Sequence, residues 1–342
     1  MKNVTKLALA FATILGTTAT QAQDVHFSQM FETPVLRNPA ISGLFNGDVR
    51  IQMVHRTQWN SVASAFQTTS ISGEFKKKIG NGDDFITIGG QILNDKAGEA
   101  TLTTTQISPT INYHKAVSAE RNSYLSLGFM AGVVQRRIDV SKMTTNNQFN
   151  GDRLDLSLGN GEATMVPSLT YFDGSVGMSY NSQLGENTEN NFYVGVAYHH
   201  FNKAKKNSFY QSMDNPVIAK KVISGGVRMG LSNRTSFTVQ SDYSVQGSSK
   251  EMVVGAMYTM QLDNNEIAKY RFHVGSYVRW GDAIIPVVKI ETRNLSIATS
   301  YDANISQLKN YSRGNGGFEI ALTYQKAKKD NSSMDAYRCP KF

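Results

Sequence analysis

The chain has 342 residues, a formal charge of +8 and a single cysteine, with a mean hydropathy of −0.33. That length allows one large or two ordinary domains. One thiol excludes an internal disulfide, and the lack of an apolar run of about 18 residues beyond the N-terminal segment argues against a transmembrane helix.

Residues 1–22, MKNVTKLALAFATILGTTATQA, read as a secretory signal peptide. Lys2 and Lys6 supply the positive start, Leu7 to Leu15 the apolar stretch, and Thr20-Gln21-Ala22 a small-residue cleavage site. No Cys follows that site, so a lipid anchor is not expected, and the mature chain is expected to begin at Gln23. Its charge falls from +8 to +6 with the loss of Lys2 and Lys6. The remaining basic residues cluster at Lys76-Lys77-Lys78, Lys203-Lys205-Lys206, Lys220-Lys221 and Lys326-Lys328-Lys329. In an exported chain such clusters suit solvated turns, anionic lipid headgroups or acidic partners; nucleic acid is not an expected partner.

Residues 23–47 precede the first strand. Within them RNPAISG, 37–43, has the marks of a turn that starts and stops at once. Asn38 is a good N-cap, Pro39 suits the first helical position and Gly43 suits the stop. The expectation is a periplasmic plug segment that enters the near mouth of a barrel and fixes the first strand.

From 48 to 326 the period is two. In 122–135, Leu125, Leu127, Phe129, Ala131 and Val133 share one face, with Ser126, Gly128, Met130 and Gly132 on the other. In 269–280, Tyr270, Phe272, Val274, Val278 and Trp280 oppose Arg271, His273, Gly275, Tyr277 and Arg279. In 316–325, Phe318, Ile320, Leu322 and Tyr324 oppose Glu319, Ala321, Thr323 and Gln325. Nine less regular stretches follow the same design, at 48–56, 66–76, 84–94, 101–115, 191–199, 235–246, 249–262, 283–293 and 295–303, with weaker ones at 169–181 and 218–230.

One face is aliphatic and ends in aromatics; the other mixes Gly, Ser, Thr and charge. Lipid outside and a polar lumen inside require that division, and closure satisfies every backbone hydrogen bond. The expected fold is all-β, a transmembrane antiparallel barrel of about fourteen strands with both termini periplasmic. Short linkers (80–84, 118–121, 232–234, 263–266) would then be periplasmic, and the two longest, about 138–168 and 200–217, external. The tail, 327–342, would be a basic periplasmic extension carrying Cys339 as a spare thiol; Phe342 could instead be a terminal assembly signal.

No G-x-S-x-G, P-loop, H-E-x-x-H or C-x-x-C occurs. His199 and His200 would point to opposite faces of a strand, and Asp152, Asp155 and Glu162 lack EF-hand spacing. No enzyme, metal site or cofactor is expected. The best candidate constellation is lumen-facing: Arg271, His273, Arg279, Lys289, Glu291 and Arg293, either a functional set or a wall of hydrated pairs.

The stretch QDVHFSQMFETPVLRNPAISG resembles the mature N-terminus of the PorP/SprF family of type IX secretion membrane proteins. The resemblance is carried by Gln23-Asp24, Phe27-Ser28-Gln29, and Asn38-Pro39-Ala40 with Gly43. Weaker similarities follow at Arg56, Gln58 and Trp59, at Gly90, Asp95 and Gly98, and at Asp173, Gly177 and Tyr180. Fatty-acid transporters of the FadL type carry a similar Asn-Pro-Ala element in their plug, but with only about 25 residues before the first strand no FadL-like hatch is expected here.

The resemblance implies an outer-membrane barrel of Bacteroidota, seated in outer-membrane lipid and tied to protein secretion or gliding motility. Its implied partner is the C-terminal sorting domain of a large secreted adhesin. Some members instead contact periplasmic type IX secretion components. The residues alone leave open a porin-like channel, anion-selective through lumenal Arg and Lys.

Overall fold

The computed structural model describes residues 24–58, 66–162, 165–205, 208–210, 215–263, 270–306 and 314–326. The signal peptide, Gln23, Trp59 and the tail with Cys339 and Phe342 lie outside the described residues.

The strands are β1 (Val49–Gln58), β2 (Phe66–Lys78), β3 (Phe85–Ala97), β4 (Leu102–Ser118), β5 (Ser123–Arg137), β6 (Ser168–Gln183) and β7 (Asn191–His199). They continue as β8 (Lys220–Ser232), β9 (Thr235–Gln246), β10 (Ser249–Gln261), β11 (Tyr270–Arg279), β12 (Ala283–Thr292), β13 (Leu295–Asn304) and β14 (Asn315–Lys326). Each pairs antiparallel with its neighbours in chain order, and β14 pairs back onto β1 to close a barrel of fourteen strands. The seam runs without a break from Val49 opposite Lys326 to Gln58 opposite Gly317.

Two prolines sit inside strands, where the missing N–H costs a rung of the ladder. Pairing of β4 with β5 lapses between Ile107 and Thr110, beside Pro109. Pairing of β12 with β13 lapses between Ile284 and Val287, beside Pro286.

Alternation sorts the two faces. Outward residues such as Ile88, Ile107, Leu127, Val194, Ile223, Val274, Ile290, Ile297 and Leu322 are exposed and form an apolar belt. Phe75, Tyr113, Tyr270, Tyr301 and Trp280 are also exposed on that face. The inward set is polar and buried, including Arg56, Thr87, Asn112, His114, Ser126, Asn181 and Glu319. Tyr277, on β11, is fully buried facing in, and Val278 and Trp280 face out, as period two requires.

Odd strands run one way and even strands the other. The start of β1 and the end of β14 therefore share one rim, here the entry rim. The opposite rim carries the long connections 138–167 and 200–219 and is here the loop rim. The entry rim has the short connections 79–84, 119–122 and 233–234.

Candidate functional site

An eight-stranded barrel is just narrow enough for its own side chains to fill; with more strands the lumen widens and needs a channel or a plug. Here residues 24–48 fill it. Phe27, Ser28, Gln29, Met30, Glu32, Val35, Asn38, Ala40, Ser42, Leu44 and Phe45 are all buried. Two short 3₁₀ turns and one helical turn, Met30–Glu32, Pro39–Ile41 and Pro34–Arg37, keep the segment compact. About 25 residues thus suffice to plug the lumen without a FadL-like hatch.

The segment crosses the lumen from rim to rim, farther than the expected plug of the near mouth. The Asp24 N–H donates to Gln246 at the end of β9 (2.9 Å), and the Asp24 carboxylate pairs with His200 just beyond β7 (2.7 Å). Both strands are odd-numbered, so both ends stand at the loop rim. Twenty-four residues later Asp48 donates to the Lys326 carbonyl at the entry rim (3.0 Å). Alternation fixes strand direction but says nothing about a segment inside the barrel.

Three groups of contacts hold the segment. Near the loop rim, the Glu319 carboxylate accepts from the N–H groups of Ser28 (2.5 Å) and Gln29 (2.9 Å) and from Arg56 (3.0 Å). Arg56 and Arg279 share Asp302 at 2.9 and 3.1 Å, and both donate to the Ser28 hydroxyl. The Gln29 side-chain amide reaches Ser300 (3.0 Å), and Phe27 packs with Val54, Leu93, Ala298 and Ala321.

At mid-lumen, Arg37 forms a two-pronged pair with Asp242 and donates to the Tyr193 hydroxyl (2.8 Å). Asn38 is the N-cap expected of it: its side-chain oxygen accepts from Ala40 N–H (2.8 Å). Its amide donates across to the Met178 and Val196 carbonyls. The Ala40 carbonyl accepts from Asn112 (2.7 Å) and Ser179 (2.9 Å). Three glycines on adjacent strands make the bay for this turn. A Cβ on Gly128 would lie 2.3 Å from the Pro39 carbonyl carbon, on Gly177 1.9 Å from Asn38 Oδ1, and on Gly195 2.7 Å from Asn38 Nδ2.

Towards the entry rim, Gly43 turns the chain with φ of +87°, and a Cβ there would meet Thr87 Oγ1 at 2.1 Å. Glu74 accepts from Gly43 N–H (2.6 Å), the Ser42 hydroxyl (3.0 Å) and Arg50 (2.8 Å). Phe45 lies under the cations of Arg50 and Lys76, 4.4 and 4.3 Å from its ring centre. Lys289 binds Glu32 (2.5 Å), which also accepts from Gln52 and Thr323.

The six candidate lumenal residues are thus split. Arg279 and Lys289 hold the N-terminal segment directly. Arg271 pairs with Glu291 (2.7 Å), and His273 bonds Thr259 (2.8 Å), as wall-to-wall contacts. Arg293 is corrected: β12 ends at Thr292, and Arg293 is exposed in the turn to β13, off the lumenal face. The sequence reading put Glu319 on the polar face but singled out none of the acidic partners Glu74, Asp242, Asp302 and Glu319. Each is an acid at an inward position of an alternating strand, the one signal that could have singled it out.

His199 and His200 do not oppose each other across a strand. His199 is the last residue of β7 and faces Arg37 carbonyl oxygen (3.0 Å); His200 has left the strand with φ of +57° and sits between Asp24 and Asp173, 2.7 Å from each. Asp155 bonds Ser157 and Glu162 bonds Tyr210, so the loop acids face separate partners. Among the described residues no group of three or more His, Cys, Asp or Glu is placed to hold a metal.

The profile of the type IX secretion system membrane protein PorP/SprF family matches residues 19–324. The chain belongs to the PorP/SprF family. No protein of curated function matches it. Among solved structures, a FadL homologue of Pseudomonas aeruginosa has 10% identity and a TM-score of 0.50, over 86% of this chain and 94% of the other. The P. putida toluene transporter TodX shares 10% identity with a TM-score of 0.48, covering 88% and 95%. The translocator domain of the autotransporter NalP from Neisseria meningitidis shares 9% at a TM-score of 0.46, covering 87% and 96%. At these identities the likeness extends to the barrel fold alone. Family and fold together place this PorP/SprF protein in the bacterial outer membrane as a type IX secretion barrel.

Within the family stretch, the residues that carried the resemblance sit at the contacts above. Ser28 and Gln29 meet Glu319, and Asn38, Pro39 and Ala40 occupy the glycine bay.

Proposed function

We propose that this PorP/SprF barrel works by binding a protein rather than by conducting solutes. Its partner is a large secreted surface adhesin, held or helped outward through the adhesin's C-terminal sorting domain. The observation that supports this is the filled lumen. Arg56, Arg279, Lys289 and Arg37, the cations a pore would offer to anions, are each committed to a carboxylate.

In this reading the loop rim faces outward and the tail lies in the periplasm, with short turns inside and long loops outside as in outer-membrane barrels. Loop 138–167 is internally bonded, with a bridge between Phe149 and Leu154, and exposes Phe149, Leu154 and Leu156. Exposed apolar side chains on an ordered loop offer contact to a protein partner.

The test is gentle solubilisation of the tagged barrel from its native membrane, with mass spectrometry of what accompanies it. The reading expects a very large surface protein, lost when that protein's C-terminal domain is removed. Periplasmic secretion components without such cargo would assign the barrel to the core machinery. Recovery of the barrel alone would refute the binding role.

A further inference from the structure

A chain that enters a barrel from its periplasmic side would be expected to leave its N-terminus there. The contacts of Asp24 run against this. Its N–H and carboxylate meet Gln246, whose amide also donates back to Asp24 (3.1 Å), and His200, itself anchored on Asp173. Gln246 ends β9 and His200 follows β7, both at the loop rim. Below Asp24 the lumen is occupied by the segment's own buried residues.

We infer that the N-terminal segment is threaded outward: the mature N-terminus stands at the loop-bearing mouth, on the opposite side of the membrane from the C-terminal tail. There it forms, with loops 138–167 and 200–210, part of the surface that a secreted protein partner meets. The statement that this side is external rests on the orientation proposed above. The statement that N-terminus and loops share a side does not.

The threaded segment also ties the barrel's seam. The same segment bonds both sides of the seam, Arg56 on β1 and Glu319 on β14, through Ser28 and Gln29. Its Asn38–Ala40 turn is seated against Gly128, Gly177 and Gly195.

The test uses the full-length barrel in its native cells. A short epitope is placed before Asp24, in loop 138–167 at Asn150, or at the end of the tail, one per strain, and antibody binding is scored on intact and on permeabilised cells. Threading expects the N-terminal and loop epitopes to behave alike and the tail epitope to behave oppositely. An N-terminal epitope that behaves like the tail overturns it. Loop and N-terminal epitopes both hidden, with the tail exposed, would refute the orientation and leave the threading standing.

If the N-terminal insertion prevents folding, Asp24→Cys with Gln246→Cys, in a Cys339→Ser background, supplies the second measurement. A short bis-maleimide should join the pair and shift the band on denaturing gels. No cross-link, while each single cysteine still reacts with maleimide, would also overturn the inference.

Discussion

Gly128→Ala should expel the Asn38–Ala40 turn while leaving the barrel closed. The added Cβ would lie 2.3 Å from the Pro39 carbonyl carbon and 2.4 Å from the Ala40 nitrogen, both backbone atoms. Ordinary contact begins at 3.4 Å, so the turn must retreat by roughly 1 Å. That displacement carries the bonds from Asn112 (2.7 Å) and Ser179 (2.9 Å) to the Ala40 carbonyl out of range, together with the long pair from Asn38.

Overpacking costs about 1–3 kcal/mol, and each lost bond about 1 kcal/mol. With four bonds lost, a loss of about 5–7 kcal/mol in the seating of the segment follows, enough to populate an unseated state. Trypsin reads it at Arg37, which is buried in the wild type. The variant should be cut after Arg37 at least tenfold faster in folded barrels. Gly73→Ala, which meets nothing within 4 Å, should match the wild type. If Gly128→Ala leaves Arg37 as protected as Gly73→Ala does, the glycine bay is not what seats the turn.

Glu319→Ala strands Arg56 and removes the acceptor for Ser28 and Gln29; losing one member of a buried pair costs about 3–5 kcal/mol, seen as a lower unfolding midpoint in detergent. Lys289→Met leaves Glu32 without its cation and should also destabilise, whereas Arg293→Gln, in an exposed turn, should leave the midpoint unchanged. The His200 latch should weaken in base. Burial would lower the His200 pKa, but the bonds to Asp173 and Asp24 outweigh it and raise it to about 10. A raised histidine gives stability that is complete below its unfolded value near 6.5 and is lost as pH rises through about 10. Burial would raise Asp24, but His200 and Lys220 hold it well below the usual carboxylate range, so it stays charged throughout. Lys220 on β8 and Asp173 on β6 complete the charged surroundings. Exchange of the Asp24 amide should therefore accelerate between pH 7 and 10.5 beyond the intrinsic rate, and in His200→Ala that excess should already be present at pH 7.

The fourteen strands were legible because lipid and lumen impose opposite chemistry on alternate residues, and Leu125, Leu127 and Phe129 against Ser126, Gly128 and Met130 carry that signal without homologues. Loop lengths put the long connections on one rim for the same reason. The route of residues 24–47 was not legible. Its contacts join Ser28 to Glu319 and Arg37 to Asp242, 291 and 205 residues apart, and no local period reports them. Arg293 was misplaced because a two-residue turn ends the alternation one residue earlier than the apolar pattern suggests. The Asn-Pro-Ala turn was readable as a turn, from Asn38 as cap and Pro39 at the first position. What receives it was not, since Gly128, Gly177 and Gly195 lie on three different strands.

The claim that the N-terminal segment closes this barrel is tested most directly by conductance in planar bilayers. Full-length protein should give no stable channels, and the barrel lacking residues 24–43, verified as folded, should give long-lived open ones. Stable channels from the full-length barrel, or a deletion that stays silent, would contradict the account.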